Sequence, residues 1–196
     1  MALIIMLSTT FTIFGQLSYY NFTPNDSTFK VGYEEIARDF TEKYDLTDLQ
    51  KKEFKDSDFE VRIWNSVSNG CDGVFIVNKN NIMSVYYLDD LQSSFDRILD
   101  IVGLYKPEIN LLDSNLIETK LLWAKLMGND ILNLPDEEVV IHSNVILDGS
   151  LYIVEIGNDL GYRCYHYVNP ELYQVEEAKK MTKIINIINN DIINKL

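Results

Sequence analysis

Apolar positions recur along this chain with two periods. Tyr33, Ile36, Ala37, Phe40 and Tyr44 fall every three or four residues, which predicts an amphipathic helix. Glu34 and Arg38 sit four apart on its wet face and can pair there. Thr47 and Gln50 have capping-box spacing, so a second short helix is expected from Asp48. "FEVRIWN", Phe59 to Asn65, alternates instead and is rich in β-formers. "GVFIVNK" and "IMSVYYL" follow, joined by Asn80 and Asn81, which tolerate the left-handed backbone of a tight turn.

The helical period then returns. Leu91, Phe95, Ile98, Leu99 and Val102 mark a helix stopped by Gly103. "NLIETKLLWAKLM" reads as another, capped by Asp113 or Ser114 and closed by Gly128. Past Pro135 and the acidic run Asp136 to Glu138, "EVVIHSNVIL" reads as an extended strand. "DGSLYIVEIGNDLGYRCYHYVNP", Asp148 to Pro170, supplies two strands around a loop from Gly157 to Gly161. Asn169, Pro170 and Glu171 form a helix start. The helix they open carries Leu172, Val175, Ala178, Met181, Ile184, Ile185, Ile188 and Ile192 on one stripe.

These elements predict an α+β domain: an antiparallel sheet of about six strands packed with about five helices, including a long C-terminal one. The expected organisation is a signal segment over 1–15, an exposed arm over 16–32 and a single domain over 33–196. Segments 59–103 and 138–195 share an order of Asp-Gly turn, strands and capped helix, as two βββα halves would. Hairpins that end at helix caps share that order without any repeat.

Charge narrows the functional classes. The chain has 196 residues, is 46% hydrophobic and carries a net charge of −13. A field of that sign repels phosphate backbones and anionic lipid, so nucleic-acid binding is disfavoured; it solvates the surface, and it would speed encounter with a basic partner. "MALIIMLSTTFTIFG" is uncharged and apolar, too short to span a bilayer, and has the length of a secretory h-region. It resembles the signals of secreted Gram-negative proteins: Ile13 and Gly15 would sit at the −3 and −1 positions and leave Gln16 as the new N-terminus. No Lys or Arg follows Met1, which departs from that pattern. The expected location is periplasmic or secreted, or cytoplasmic if the segment is not a signal. Cys71 and Cys164 could pair in an oxidising compartment if their separation allows, and would be buried thiols in a reducing one.

The candidate chemistry concentrates in the Asp148–Pro170 hairpin. With the five-residue loop, Glu155 lies opposite Arg163 and forms a cross-strand pair near the tip; a loop one residue shorter would change these partners. Alternation then places Leu151, Ile153, Glu155, Arg163, Tyr165 and Tyr167 on one face, and Tyr152, Val154, Ile156, Tyr162, Cys164 and His166 on the other. His166, Glu155 and Arg163 are the catalytic candidates, His166 first as one of only two histidines. Cys164 and His166, two apart on one face, combine with His142 and Cys71 into a conceivable zinc set, but none of the close ligand pairs of zinc modules is present. "DSDFE" at Asp56 lacks the glycine and distal glutamate of a calcium loop and reads as a turn. There is no nucleophile elbow, phosphate loop, dinucleotide fingerprint or HExxH, so no cofactor is expected.

Asp148-Gly149, Tyr152 and Glu155, then "YRCYHYVNP" and a helix, resemble a pattern in uncharacterised secreted bacterial proteins; "RIW" at Arg62–Trp64 and "NLP" at Asn133–Pro135 fit it too. The resemblance implies an extracytoplasmic α+β domain and transfers no activity. The first functional expectation is therefore a non-enzymatic secreted or periplasmic binding protein, in its concrete form an immunity-type protein whose acidic surface neutralises a basic effector. The rivals are a small hydrolase centred on His166 and a structural envelope-associated protein.

Overall fold

A computed structural model describes residues 32–67, 70–91, 107–113, 117–141 and 149–196. The expected signal segment, nearly all of the arm, the helix after Leu91 and most of the strand around His142 lie outside the described residues.

Six strands form one antiparallel sheet: β1 (Phe59–Val67), β2 (Gly70–Lys79), β3 (Ile82–Leu91), β4 (Ile109–Leu111), β5 (Leu151–Asn158) and β6 (Gly161–Val168). Their order is β4-β3-β2-β1-β5-β6, so β1 joins the first meander to the last hairpin. The described helices are α1 (Gly32–Lys43), α2 (Thr119–Met127), the single turn α3 (Glu137–Val140) and the long α4 (Glu176–Asp191). The α+β class and the strand number agree with the sequence, with four described helices against about five expected. Among the described residues no helix is long and apolar enough to cross a membrane.

Alternation decides which residues meet which layer. On one face Val61, Ile63, Val74, Ile76, Val154, Ile156, Tyr165 and Tyr167 are buried against Leu122 and Leu126 of α2 and Ala178, Met181, Ile184 and Ile188 of α4. Each such aliphatic chain contributes roughly 1.5–3 kcal/mol. On the other face Trp64, Cys71, Phe75, Leu88, Ile153 and Cys164 are buried with Ala37 of α1. Gly73 leaves room there, because a Cβ would lie 3.2 Å from the Trp64 ring.

The turn at Asn80 and Asn81 takes φ of 52° and 61°, as the sequence predicts for a two-residue hairpin. Four other expectations are corrected. First, no helix starts at Asp48: its carboxylate accepts the N–H of Gln50 at 2.9 Å, and the chain makes only a turn. Second, α2 begins at Thr119, because Leu112 still bonds the sheet at Val85 and Ile117 is buried before the helix opens. Third, residues 137–140 are helical rather than extended, since Asp136 caps them by accepting the N–H of Glu138 at 3.0 Å. Fourth, Asn169 does not cap α4. It sits at φ 44° and accepts the N–H of Ser150 at 2.9 Å; a 3-10 turn over Pro170–Leu172 follows, and α4 starts at Glu176. The buried stripe consequently begins at Ala178, with Leu172 and Val175 exposed.

Candidate functional site

The hairpin register departs from the expected one by a single residue. Asn158 pairs with Gly161, so the turn holds only Asp159 and Leu160. The Asn158 carboxamide accepts the N–H of Leu160 at 2.9 Å and of Gly161 at 3.2 Å, and Gly161 takes φ 137°. Gly157 remains in the strand under Phe54, where a Cβ would come within 2.7 Å of the ring. Glu155 therefore opposes Cys164, and Arg163 opposes Ile156. The one-residue change sends Arg163, Tyr165 and Tyr167 to the face opposite Glu155.

Glu155 is consequently a core residue, 4% exposed. Its carboxylate accepts the indole N–H of Trp64 at 2.7 Å and the hydroxyl of Tyr162 at 3.0 Å. Burial pushes its pKa up, and the donors from Trp64 and Tyr162 and the charge of Arg62 only partly oppose that. Arg62, its cross-strand neighbour, is 1% exposed. It donates to Glu60 at 2.7 Å, to the Thr41 hydroxyl of α1 at 3.1 Å and to the Thr47 carbonyl at 2.7 Å. Lys52 closes over the other oxygen of Glu60. The network fastens α1 and the loop after it onto the sheet, which is how buried charges are tolerated.

Arg163 donates to the Leu134 carbonyl at 2.7 Å and lies 5.9 Å from the Tyr165 ring. Tyr165 and Tyr167 donate to the carbonyls of Ile131 and Pro135. The segment 131–137 thus lies along β6, an edge strand of the sheet. Two carboxylates complete the seal: Asp136 accepts the N–H of His166 at 3.0 Å, and Glu137 accepts that of Val168. They occupy donors that an open edge would offer to another chain.

His166 sits within this seal. Its ring is 3.5 Å from that of Tyr33, centroid to centroid, and its Nδ1 lies 2.8 Å from Asp136. The carboxylate partner makes Nδ1 the donor. An aspartate orienting a histidine is half of a hydrolytic constellation. The nearest thiol on that strand face, Cys164, is buried beside Glu155, and both effects hold its pKa well above the ordinary value. Glu155, Arg163 and His166 do not converge on one hollow.

Neither Cys71 nor Cys164 is part of a disulfide, and both are buried in the same core layer. They lie three strands apart, on β2 and β6, a separation of about 14 Å at the usual strand spacing, well beyond disulfide reach. Cys71 is correspondingly remote from Cys164 and His166, and His142 lies outside the described residues. Among the described residues no three His, Cys, Asp or Glu side chains are placed to hold a metal ion.

The residues that sequence reasoning missed are Asp136, Tyr33, Trp64 and Tyr162, the direct partners of His166 and Glu155. One signal for them was present: Glu60, Arg62 and Trp64 alternate within an otherwise apolar strand, so they share one face and need polar partners there. A second polar spot was also missed. On the α4 side of the sheet, Asn65 and Asp72 are cross-strand partners beside a shallow hollow that Tyr152, Ile188, Asn189 and Ile193 complete.

No family model, curated protein or solved structure matches the chain.

Proposed function

We propose that this chain is a non-enzymatic, exported binding protein of the immunity type, which meets a basic effector with an acidic, partly apolar face. The observation that carries the reading is a repeated pairing on the surface. Glu138 adjoins Val139, Glu171 adjoins Leu172, and Glu176 adjoins Val175; all six residues are exposed. The first pair follows Glu137, which accepts the Val168 N–H at the end of β6, and the other two follow β6 in the chain. Exposed apolar side chains among acids suit a partner that brings both cations and apolar contacts. The net charge of −13 adds long-range attraction for such a partner. The buried polar groups of the hairpin support the same reading, since their bonds are directed to holding strands and helices.

The test is a search for a basic polypeptide that co-purifies with this chain, followed by a direct binding measurement with it. The triple exchange E138K, E171K and E176K should weaken association more than tenfold and flatten its salt dependence. Reversal of Glu53 and Asp56, exposed on the loop before β1, should change it far less. Equal loss from both variants would remove the face from consideration, and no association at any salt concentration would remove the immunity reading. Export has its own measurement: the mature protein should begin at Gln16.

A second reading, a hydrolase centred on His166, draws on the 2.8 Å contact with Asp136. Under it, His166→Ala abolishes turnover and leaves the fold intact. Under the binding reading, the same exchange lowers stability.

A further inference from the structure

We propose that the hollow between the sheet and the end of α4 is a binding site for a primary ammonium group on a short aliphatic stem. Asp72 is 5% exposed, yet its Oδ1 has no hydrogen-bond partner, and the Oδ1 of Asn65 beside it has none either. Both side chains line the hollow. The Asn65 side chain hydrogen-bonds the Asp72 carboxylate, yet one acceptor on each residue stays unmet. Two buried acceptors side by side call for a donor, because each unmet one has lost its hydration without replacement.

The chemistry of the walls selects the donor. An ammonium carries three N–H groups and one positive charge, so it can serve both oxygens and neutralise Asp72. An anion is excluded by the charges of Asp72 and its neighbour Asp89. A divalent metal would need more carboxylate than Asp72 supplies among the lining residues. The space available is about 20 Å³, enough for a group the size of a water or an ammonium. Ile188 and Ile193 form the apolar wall along which methylenes of a stem would lie. Two sources present this chemistry, a free alkylamine and the lysine side chain of a protein partner.

The experiment follows the Asp72 carboxyl carbon by NMR while pH is varied. It uses the full chain in n-butylammonium chloride, in tetramethylammonium chloride of equal ionic strength, and with a short peptide carrying one lysine. Asp72 should titrate near 6 without a ligand. Butylammonium should lower that value by about one unit, a tenfold preference for the ionised form. Tetramethylammonium, which has the charge but no N–H, should leave it unchanged. Asp72→Asn should remove the amine-induced shifts of neighbouring signals while keeping the native spectrum elsewhere. A shift with butylammonium assigns the site to free amines, and one with the peptide alone assigns it to a partner lysine. Equal shifts with both ammonium salts, or none with either amine, would overturn the proposal. An ordered water that bonds both oxygens and resists displacement by butylammonium would overturn it too.

Discussion

Trp64 Nε1 donates to Glu155 Oε2 at 2.7 Å, joining two side chains that are 91 positions apart in the chain. Both are buried, on the neighbouring strands β1 and β5, and the indole carries the Phe40, Tyr44 and Phe75 rings packed around it. Removing the donor should expose the weakness of a buried carboxylate. Trp64→Phe should destabilise the fold by about 2 kcal/mol, because a buried carboxyl oxygen is left without its donor. Glu155→Gln should cost less, because burial already disfavours the ionised form it replaces. Urea midpoints at constant slope measure both.

Asp136 serves three donors: the Glu138 N–H, the His166 N–H and the His166 ring. Asp136→Ala should therefore cost about 3 kcal/mol or more, combining a lost helix cap with an opened strand edge. Hydrogen exchange at the amides of His166 and Val168 should accelerate before that of the central strands. Unchanged exchange at those amides would remove the edge-sealing role.

Gly149 and Asn169 close the open end of the β5–β6 hairpin. A Cβ on Gly149 would fall 1.9 Å from the Asn169 Oδ1 that accepts the Ser150 N–H. Gly149→Ala should destabilise by about 2 kcal/mol through this clash. Asn169→Gly, which keeps the left-handed backbone, should relieve most of it in the double variant. The coupling measured in a double-mutant cycle tests the contact.

Asp72 gives the fold a pH dependence of defined sign. Burial raises its pKa to about 6 from 3.8, so between those values the folded state holds a proton that the unfolded state releases. Stability should fall as pH rises from about 4 to 6, by about 3 kcal/mol in all from this group. Asp72→Asn should remove that component and leave the protein more stable than wild type at neutral pH. Thermal unfolding across this range decides it.

Burial raises the pKa of both thiols, and their strands keep them apart. Native protein should leave a thiol reagent unreacted, denatured protein should consume two equivalents, and a reductant should not shift the melting temperature.

Much of this architecture was legible in the chain. Period and turn chemistry act over a few residues, so α1, the strands β1 to β3, the Asn80–Asn81 turn and the buried stripe of α4 could be placed directly. The candidate site was less legible, because its groups find partners far along the chain. His166 meets Asp136 from 30 positions away, and Arg62 meets Thr41 from 21. No local pattern encodes such distances.

The hairpin marks the boundary between the two kinds of information. Alternation determined that Glu155 shares a face with Ile153 and that Cys164 shares one with His166. Only the folded chain decided which of those sets lay together, because shortening the turn to Asp159 and Leu160 moves every partner by one residue. That choice was made by packing, with Gly157 held under Phe54 and Glu155 drawn to Trp64 and Tyr162. The same competition turned residues 137–140 from strand to helix: once Asp136 and Glu137 bond the edge of β6, the β-preference of Val139 and Val140 is too small to prevail.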